Sequence, residues 1–514
     1  MKKEVLRTNA FDYYRLRLFY VAQRSGILLD ISLLVVGLLI VLIGAYLIGQ
    51  GENGFYVLGG VIALALAVVV TVKPTVGLYF LVVFVYLNLS DILEISFHIP
   101  SINKPIIGLV FAAVLANRIV LHGKPLNFHK VVSAILVYGI ALLFSAFIAG
   151  DQTIALNYMG DWIKDFAVLL IILQFCDDET AWKKIHWLLI LCATFVGLLS
   201  CIQILSGNFS NQFFGLANTS INQITNSFDS TRVSGPLSDP NYYAQMILMI
   251  LPLAAYQALA AGRPRTRALA AVCAAIIFMT VIFTYSRAAS VAMVILLFLI
   301  VRERKLNLYK IGFGLAVSAL IVFPLLPAGY LDRILTLQSL LGGPTTSQSD
   351  LSFRGRLSEM LVAVNMFLDH PVLGIGIANY EDNYLTYSDQ LGIDHRLENR
   401  EAHSLYLEIL AETGLVGEVT FLIVIMSVFL ALRRAKRQLK TLDRPDLVIW
   451  VSAVQYSVLS FLLTSIFLHG AYSRYMWLII SVSIGAAVMV QQLATKTQST
   501  NQNEGVALFP EIQQ

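Results

Sequence analysis

The sequence predicts an all-α polytopic integral membrane protein, with about 14 transmembrane helices and a large external loop containing amphipathic helices. Three observations predict it. The 514 residues are 57% hydrophobic and only 13% charged, whereas a soluble domain carries about a quarter charged residues. Mean hydropathy is +0.73. The apolar residues fall in long runs, and short basic loops separate alternate pairs of them. This composition excludes a cytosolic enzyme, a disordered chain and a nucleic-acid binder. The net charge of +4 is small and concerns topology more than an anionic partner.

Residues 1–26 are polar and basic (Lys2, Lys3, Arg7, Arg15, Arg17, Arg24) and read as a cytoplasmic segment. The apolar run that follows is too long for a signal-peptide core and reads as an uncleaved first span. A span needs about 20 mainly apolar residues. On that rule a transmembrane domain covers 27–491, with seven spans at 27–49, 54–72, 75–89, 104–121, 131–150, 162–175 and 185–205. Seven more follow at 241–261, 268–284, 288–301, 308–327, 416–432, 447–468 and 472–491. The tail at 492–514 is polar and without periodicity, which predicts a disordered cytoplasmic segment.

With both termini inside, most of the 36 Lys and Arg fall on the cytoplasmic side, as the positive-inside rule requires. Arg263/Arg265/Arg267, Arg302/Arg304/Lys305 and Arg433/Arg434/Lys436/Arg437 all land there. Two long loops, 206–240 and 328–402, then face outward. The second is too long for a connector. In it Leu357, Leu361, Val364 and Leu368 recur at helical spacing, so an amphipathic helix is expected. A short helix is expected to begin near His403 and to stop at Gly414.

External arginines run against the topological bias and need another reason. Arg287, in FTYSRAASVAM, sits at a membrane edge. It is either a snorkelling anchor or an anion clamp at the mouth of a cavity, because intramembrane charges face a bundle interior or a watery path. Arg232, in TRVSGPLSDPNYYAQ, precedes a helix that Pro236, Pro240 and Asn241 open tightly. Arg354 and Arg356 flank Gly355 at the start of the amphipathic helix, where backbone donors add to an anion site. A guanidinium fork suits phosphate because it donates two parallel hydrogen bonds.

His403, in REAHSLYLEILAETGLVG, stands where the long loop re-enters the membrane, and imidazole titrates in the range a general base needs. Glu408 and Glu412 do not stack on it and read as helix-face residues. The four cysteines form no CxxC pair, so neither a disulfide framework nor a zinc site is expected. No nucleotide loop, GxSxG elbow or HExxH is present. With no compact acidic pair outside, phosphate chemistry there would rest on arginines, with no metal ion and no cofactor.

Residues 353–417 (FRGRLSEMLVAVNMFLDHPVLGIGIANY, then REAHSLYLEILAETGLVG) resemble the conserved region of the O-antigen ligase and polymerase superfamily. The pattern is GR, a helix, HP-x-x-G-x-G, then AH-[NS]-x-Y-L-x-x-x-x-E-x-G. SGPLSDPNYYA and TYSRAA are similar to that family's other two markers.

The resemblance implies an inverting, metal-independent glycosyltransferase in the bacterial cytoplasmic membrane. It would take a glycan from an undecaprenyl-diphosphate carrier on the periplasmic face, for lipopolysaccharide or another cell-surface polysaccharide. The acceptor would be a lipid A core sugar, a lipid-linked glycan or a protein hydroxyl. By motif position the catalytic residues would be Arg232, Arg287 and His403, with Arg354, Arg356 and Asn241 binding substrate. Ser404 stands where Asn is common after the histidine, a change that bears on acceptor contacts. Carriage of a small anion such as bicarbonate, and protein O-oligosaccharyl transfer, are the alternatives.

Overall fold

The computed structural model describes residues 68–99, 101–225, 228–260, 262–305, 351–392, 398–470 and 473–507. The chain divides into two compact units, one formed by residues 1–82 and 102–127 and the other by 83–101 and 128–514. The first contains most of α1 (Pro74–Tyr86) and, after α2 (Leu89–Phe97) of the second unit, α3 (Asn103–Leu115), which loosens into a π-helical turn over Ala116–Leu121.

The second unit continues with α4 (Lys130–Ile148), α5 (Gln152–Phe175) and α6 (Glu179–Ser206). Side-chain caps set these starts. Asp151 accepts from the N–H groups of Thr153 and Ile154, and Asp178 accepts from that of Thr180, so orphan donors of the first turns are satisfied. After a hairpin of β1 (Asn218–Thr225) and β2 (Phe228–Gly235) come α7 (Pro240–Leu248), α8 (Leu251–Ala260), α9 (Pro264–Phe283) and α10 (Arg287–Glu303). A cap is built from α11 (Leu351–Asp369) and α12 (Tyr380–Leu391). The chain closes with α13 (Leu405–Thr441), α14 (Pro445–Thr464) and α15 (Arg474–Ala507).

The outward faces are as apolar as the core. On α4, Ile135, Tyr138 and Leu142 are buried, while Val137, Ile140, Phe144 and Phe147 are exposed. In water that second stripe would be costly; in lipid it is at home. Eight described helices are long and apolar enough to cross a membrane, and a bent pair, α1 with α2, would make nine. The chain is a helical polytopic membrane protein. Of the expected spans, 27–49, most of 54–72 and 308–327 lie outside the described residues.

Several expectations are corrected. The span expected at 162–175 is the apolar half of a 24-residue helix that Asp151 starts. The loop at 206–240 contains an antiparallel hairpin, in which Ser220 pairs with Arg232 and Thr219 with Val233. The fold is therefore not purely α. The polar segment after residue 491 continues α15 to Ala507 instead of falling into disorder; extending an existing helix avoids the nucleation cost. On α11 the stripe Leu357, Leu361, Val364, Leu368 is exposed, and the buried face is Ser358, Glu359, Val362, Ala363 and Met366. The amphipathic helix exists, with its apolar stripe turned outward as at a lipid surface.

The helix that begins at Leu405 stops at Gly414, as expected, and a second begins beyond it, so α13 (Leu405–Thr441) is two helices joined across a kink; at Gly414 φ is 63° and ψ −162°, a region open essentially to glycine alone. The HPVLGIG segment crosses there. Ile375 and Gly376 donate to the carbonyls of Ala411 and Glu412, and Leu415 and Val416 donate to those of Pro371 and Val372. A Cβ on Gly374 would lie 2.2 Å from the Glu412 carbonyl carbon. The glycines of HPVLGIG thus sit at a backbone crossing that locks the cap to α13.

Candidate active site

The hairpin delivers Arg232 into the protein, where it is 3% exposed. Its Nε donates to the carbonyl of Thr284 at 2.8 Å, and Nη2 donates to Asn241 Oδ1 at 3.0 Å. One guanidinium thus ties three elements together: β2, the first turn of α7, and the turn before α10. Asp239 caps α7 through the Asn241 and Tyr242 N–H groups, with Pro240 in the first turn. Gly235 allows the approach of Tyr243, since a Cβ there would lie 2.2 Å from its ring.

Arg287 opens α10, directly after its cap Ser286. It is half-buried. Tyr285, two residues earlier, has φ 54°, a strained value for a bulky residue. The Thr284 carbonyl that Arg232 grips belongs to this same turn, so the two arginines predicted as catalytic share one short piece of backbone.

His403 also has a positive φ, 46°. Leu405, two residues on, donates its N–H to the carbonyls of Ser465 and Leu468, which pins the re-entry to the α14–α15 connection. The His403 Nε2 lies 3.7 Å from Glu359 Oε2, and the Glu359 side chain is buried. Its ring packs against that of His469 at 5.3 Å, and His469 packs against Tyr242 at 4.7 Å. Burial first, then the positive charges of Arg356 and Arg400 against the opposing Asp239, bring the His403 pKa down to about 4. The imidazole is therefore neutral at pH 7. The same couplings place Arg356 and Asp239 within electrostatic reach of it.

Glu401 meets His469 Nε2 through Oε2. Burial and surrounding carboxylates raise the Glu401 pKa to about 8, and burial lowers that of His469 to about 3. Glu408 and Glu412, expected to be helix-face residues, serve as internal acceptors. Glu408 takes the Gly470 N–H at 2.7 Å, and Glu412 takes those of Ala378 and Tyr380.

The structure thus bonds Arg232 to Asn241, while Arg356 and Asp239 act on His403 electrostatically. Arg354 stands in the first turn of α11, and its side chain lies outside the described residues. Glu359, Glu401, His469 and Tyr242 are additions that the sequence reading missed. The available signals were Glu359 three residues after Arg356 on one helix, and Glu401 two residues before His403. Among the described residues, no group of three His, Cys, Asp or Glu is arranged to hold a metal ion.

Residues 272–422 match the family model described as O-antigen ligase. The matched segment contains Arg287, Arg354, Arg356, Glu359 and His403, and ends just past the Gly414 crossing; Arg232 and Asn241 precede it. No curated protein matches the chain. The match supports, over this segment, the resemblance to the O-antigen ligase and polymerase superfamily.

Proposed function

We propose that this protein transfers a glycan from an undecaprenyl-diphosphate carrier to an acceptor hydroxyl, with inversion, at the periplasmic face of the bacterial inner membrane. The observation that carries the reading is a neutral, strained histidine set between a buried carboxylate and arginines, at the point where the external cap meets the membrane helices. The acceptor oxygen attacks the anomeric carbon, and the bond from that carbon to the diphosphate oxygen breaks. Undecaprenyl diphosphate leaves with the bonding electrons, and the hydroxyl proton passes to His403.

Charge develops in two places, and the residues answer both. Arg232, Arg287, Arg354 and Arg356 supply positive charge and fork-shaped donors to the diphosphate, with Asn241 fixing the orientation of Arg232. Preorganised donors of this kind supply the larger electrostatic share of catalysis. Glu359, 3.7 Å from Nε2, offsets the imidazolium that forms. The bound diphosphate, being an anion, raises the His403 pKa from about 4 towards neutrality, where a general base works best. The reaction needs no metal ion, because the arginines neutralise the leaving group. The acceptor is a lipid A core sugar or a lipid-linked glycan, in preference to a protein hydroxyl.

The test is turnover of a synthetic undecaprenyl-diphosphate oligosaccharide by the purified protein in liposomes, with EDTA present. Release of undecaprenyl diphosphate, matched by acceptor glycosylation of inverted configuration, supports the reading. Activity that EDTA abolishes and magnesium restores removes the metal-free mechanism. Uptake of bicarbonate into those vesicles without any glycan transfer would replace the enzyme with a carrier.

A further inference from the structure

Far from His403 in the sequence of α13, the helix's last turns carry a second assembly of charge that the glycan chemistry does not use. Met426, Leu430, Arg433, Arg437 and Lys440 follow one another at spacings of three and four, and so form one stripe of the helix. All five are exposed. The stripe is apolar in its first half and basic in its second. It forms one wall of a groove of about 490 Å³, lined also by Phe429, Lys436 and Gln455.

The charges in this groove are unequally committed. Lys436 is held by Glu303 at 3.5 Å. Arg433, Arg437 and Lys440 form no ion pair among the described residues. Gln455, which reaches the groove from α14, has a buried Oε1 with no hydrogen-bond partner among the described residues. The groove therefore offers three cations without an ion pair among the described residues and an apolar floor continuous with them.

We propose that this groove is a binding site for an anionic phospholipid. The phosphodiester lies against Arg433, Arg437 and Lys440, and an acyl chain runs along Met426, Phe429 and Leu430. A basic cluster that only fixed the topology would need neither the groove nor the adjoining apolar stripe. Charge complementarity selects an anionic over a zwitterionic lipid, because juxtamembrane Lys and Arg are attracted to an anionic surface. The division of one stripe into apolar and basic halves selects a lipid over a free phosphate, which would leave the apolar half unused.

The experiment measures lipid retained by the purified full-length protein in native mass spectrometry. The protein is first equilibrated in nanodiscs of phosphatidylcholine with or without phosphatidylglycerol. Wild-type protein should retain phosphatidylglycerol over phosphatidylcholine at least tenfold, and inorganic phosphate should not displace it. Two variants should lose this preference: the triple change Arg433→Gln, Arg437→Gln, Lys440→Gln, and Leu430→Trp, which fills the apolar half and leaves every charge in place. The triple change Arg263→Gln, Arg265→Gln, Arg267→Gln removes equal charge from another basic loop and should retain the preference. The proposal fails if both triple variants lose it equally, if Leu430→Trp keeps it, or if inorganic phosphate displaces the lipid.

Discussion

The buried carboxylate of Glu359 lies 3.7 Å from Nε2 of His403, which ties α11 to the segment that leads into α13. If this carboxylate balances the imidazolium formed during transfer, Glu359→Gln keeps the packing and removes the charge. A kcat about tenfold lower is expected, equivalent to about 1.4 kcal/mol, with KM for the donor little changed. Unchanged kcat with altered thermal stability would make Glu359 a packing residue only.

The pH profile tests the environment of His403. A base must be deprotonated, and burial followed by Arg356 brings its pKa down to about 4. The acid limb of kcat/KM, which reports the free enzyme, should therefore lie below the ordinary imidazole range near 6.5. Arg356 lowers this pKa, so Arg356→Gln raises it and moves the limb to higher pH, whatever the loss of absolute rate. A wild-type limb at 6.5, or a downward shift in the variant, contradicts the assignment.

At Arg287 geometry can be separated from charge. A diphosphate clamp uses the guanidinium fork, which a lysine point charge cannot reproduce, so Arg287→Lys should lose turnover by at least tenfold. A snorkelling anchor would accept lysine without loss. A folded Arg287→Lys enzyme with wild-type turnover removes Arg287 from the site.

Gly414 tests the backbone crossing. Its dihedral angles exclude other residues, and a Cβ there would lie 2.4 Å from the Val372 carbonyl carbon. Gly414→Ala should cost at least about 1–3 kcal/mol from the dihedral strain alone, read as a lowered thermal midpoint in detergent. Unaltered stability contradicts the crossing.

The membrane class and the order of the second-half helices were legible because long apolar runs and basic loops are local signals. The candidate residues Arg232, Arg287 and Arg356 stood out because arginines expected on the outer side defy the bias, and His403 because of its place at the end of the long loop. What was not legible depends on contact across the chain. The hairpin that carries Arg232 is rich in Asn, Ser and Thr and shows no apolar alternation. The Leu357 to Leu368 spacing marked an amphipathic helix, but in a membrane protein the outer medium is apolar too, so periodicity finds the helix and not its buried side. His469 read as a lone external histidine, because its neighbours Glu401, His403 and Tyr242 come from distant segments.

The central claim is that His403 acts in the transition state and not in holding the donor. Turnover and donor affinity should be measured on the same folded preparation of His403→Ala, with the undecaprenyl-diphosphate glycan as ligand. Turnover is predicted to fall about 10²–10⁴-fold, the range of a lost general base, while the dissociation constant of the donor stays within about twofold of wild type. Turnover within about threefold of wild type, or a loss accounted for entirely by weakened donor binding, would contradict it.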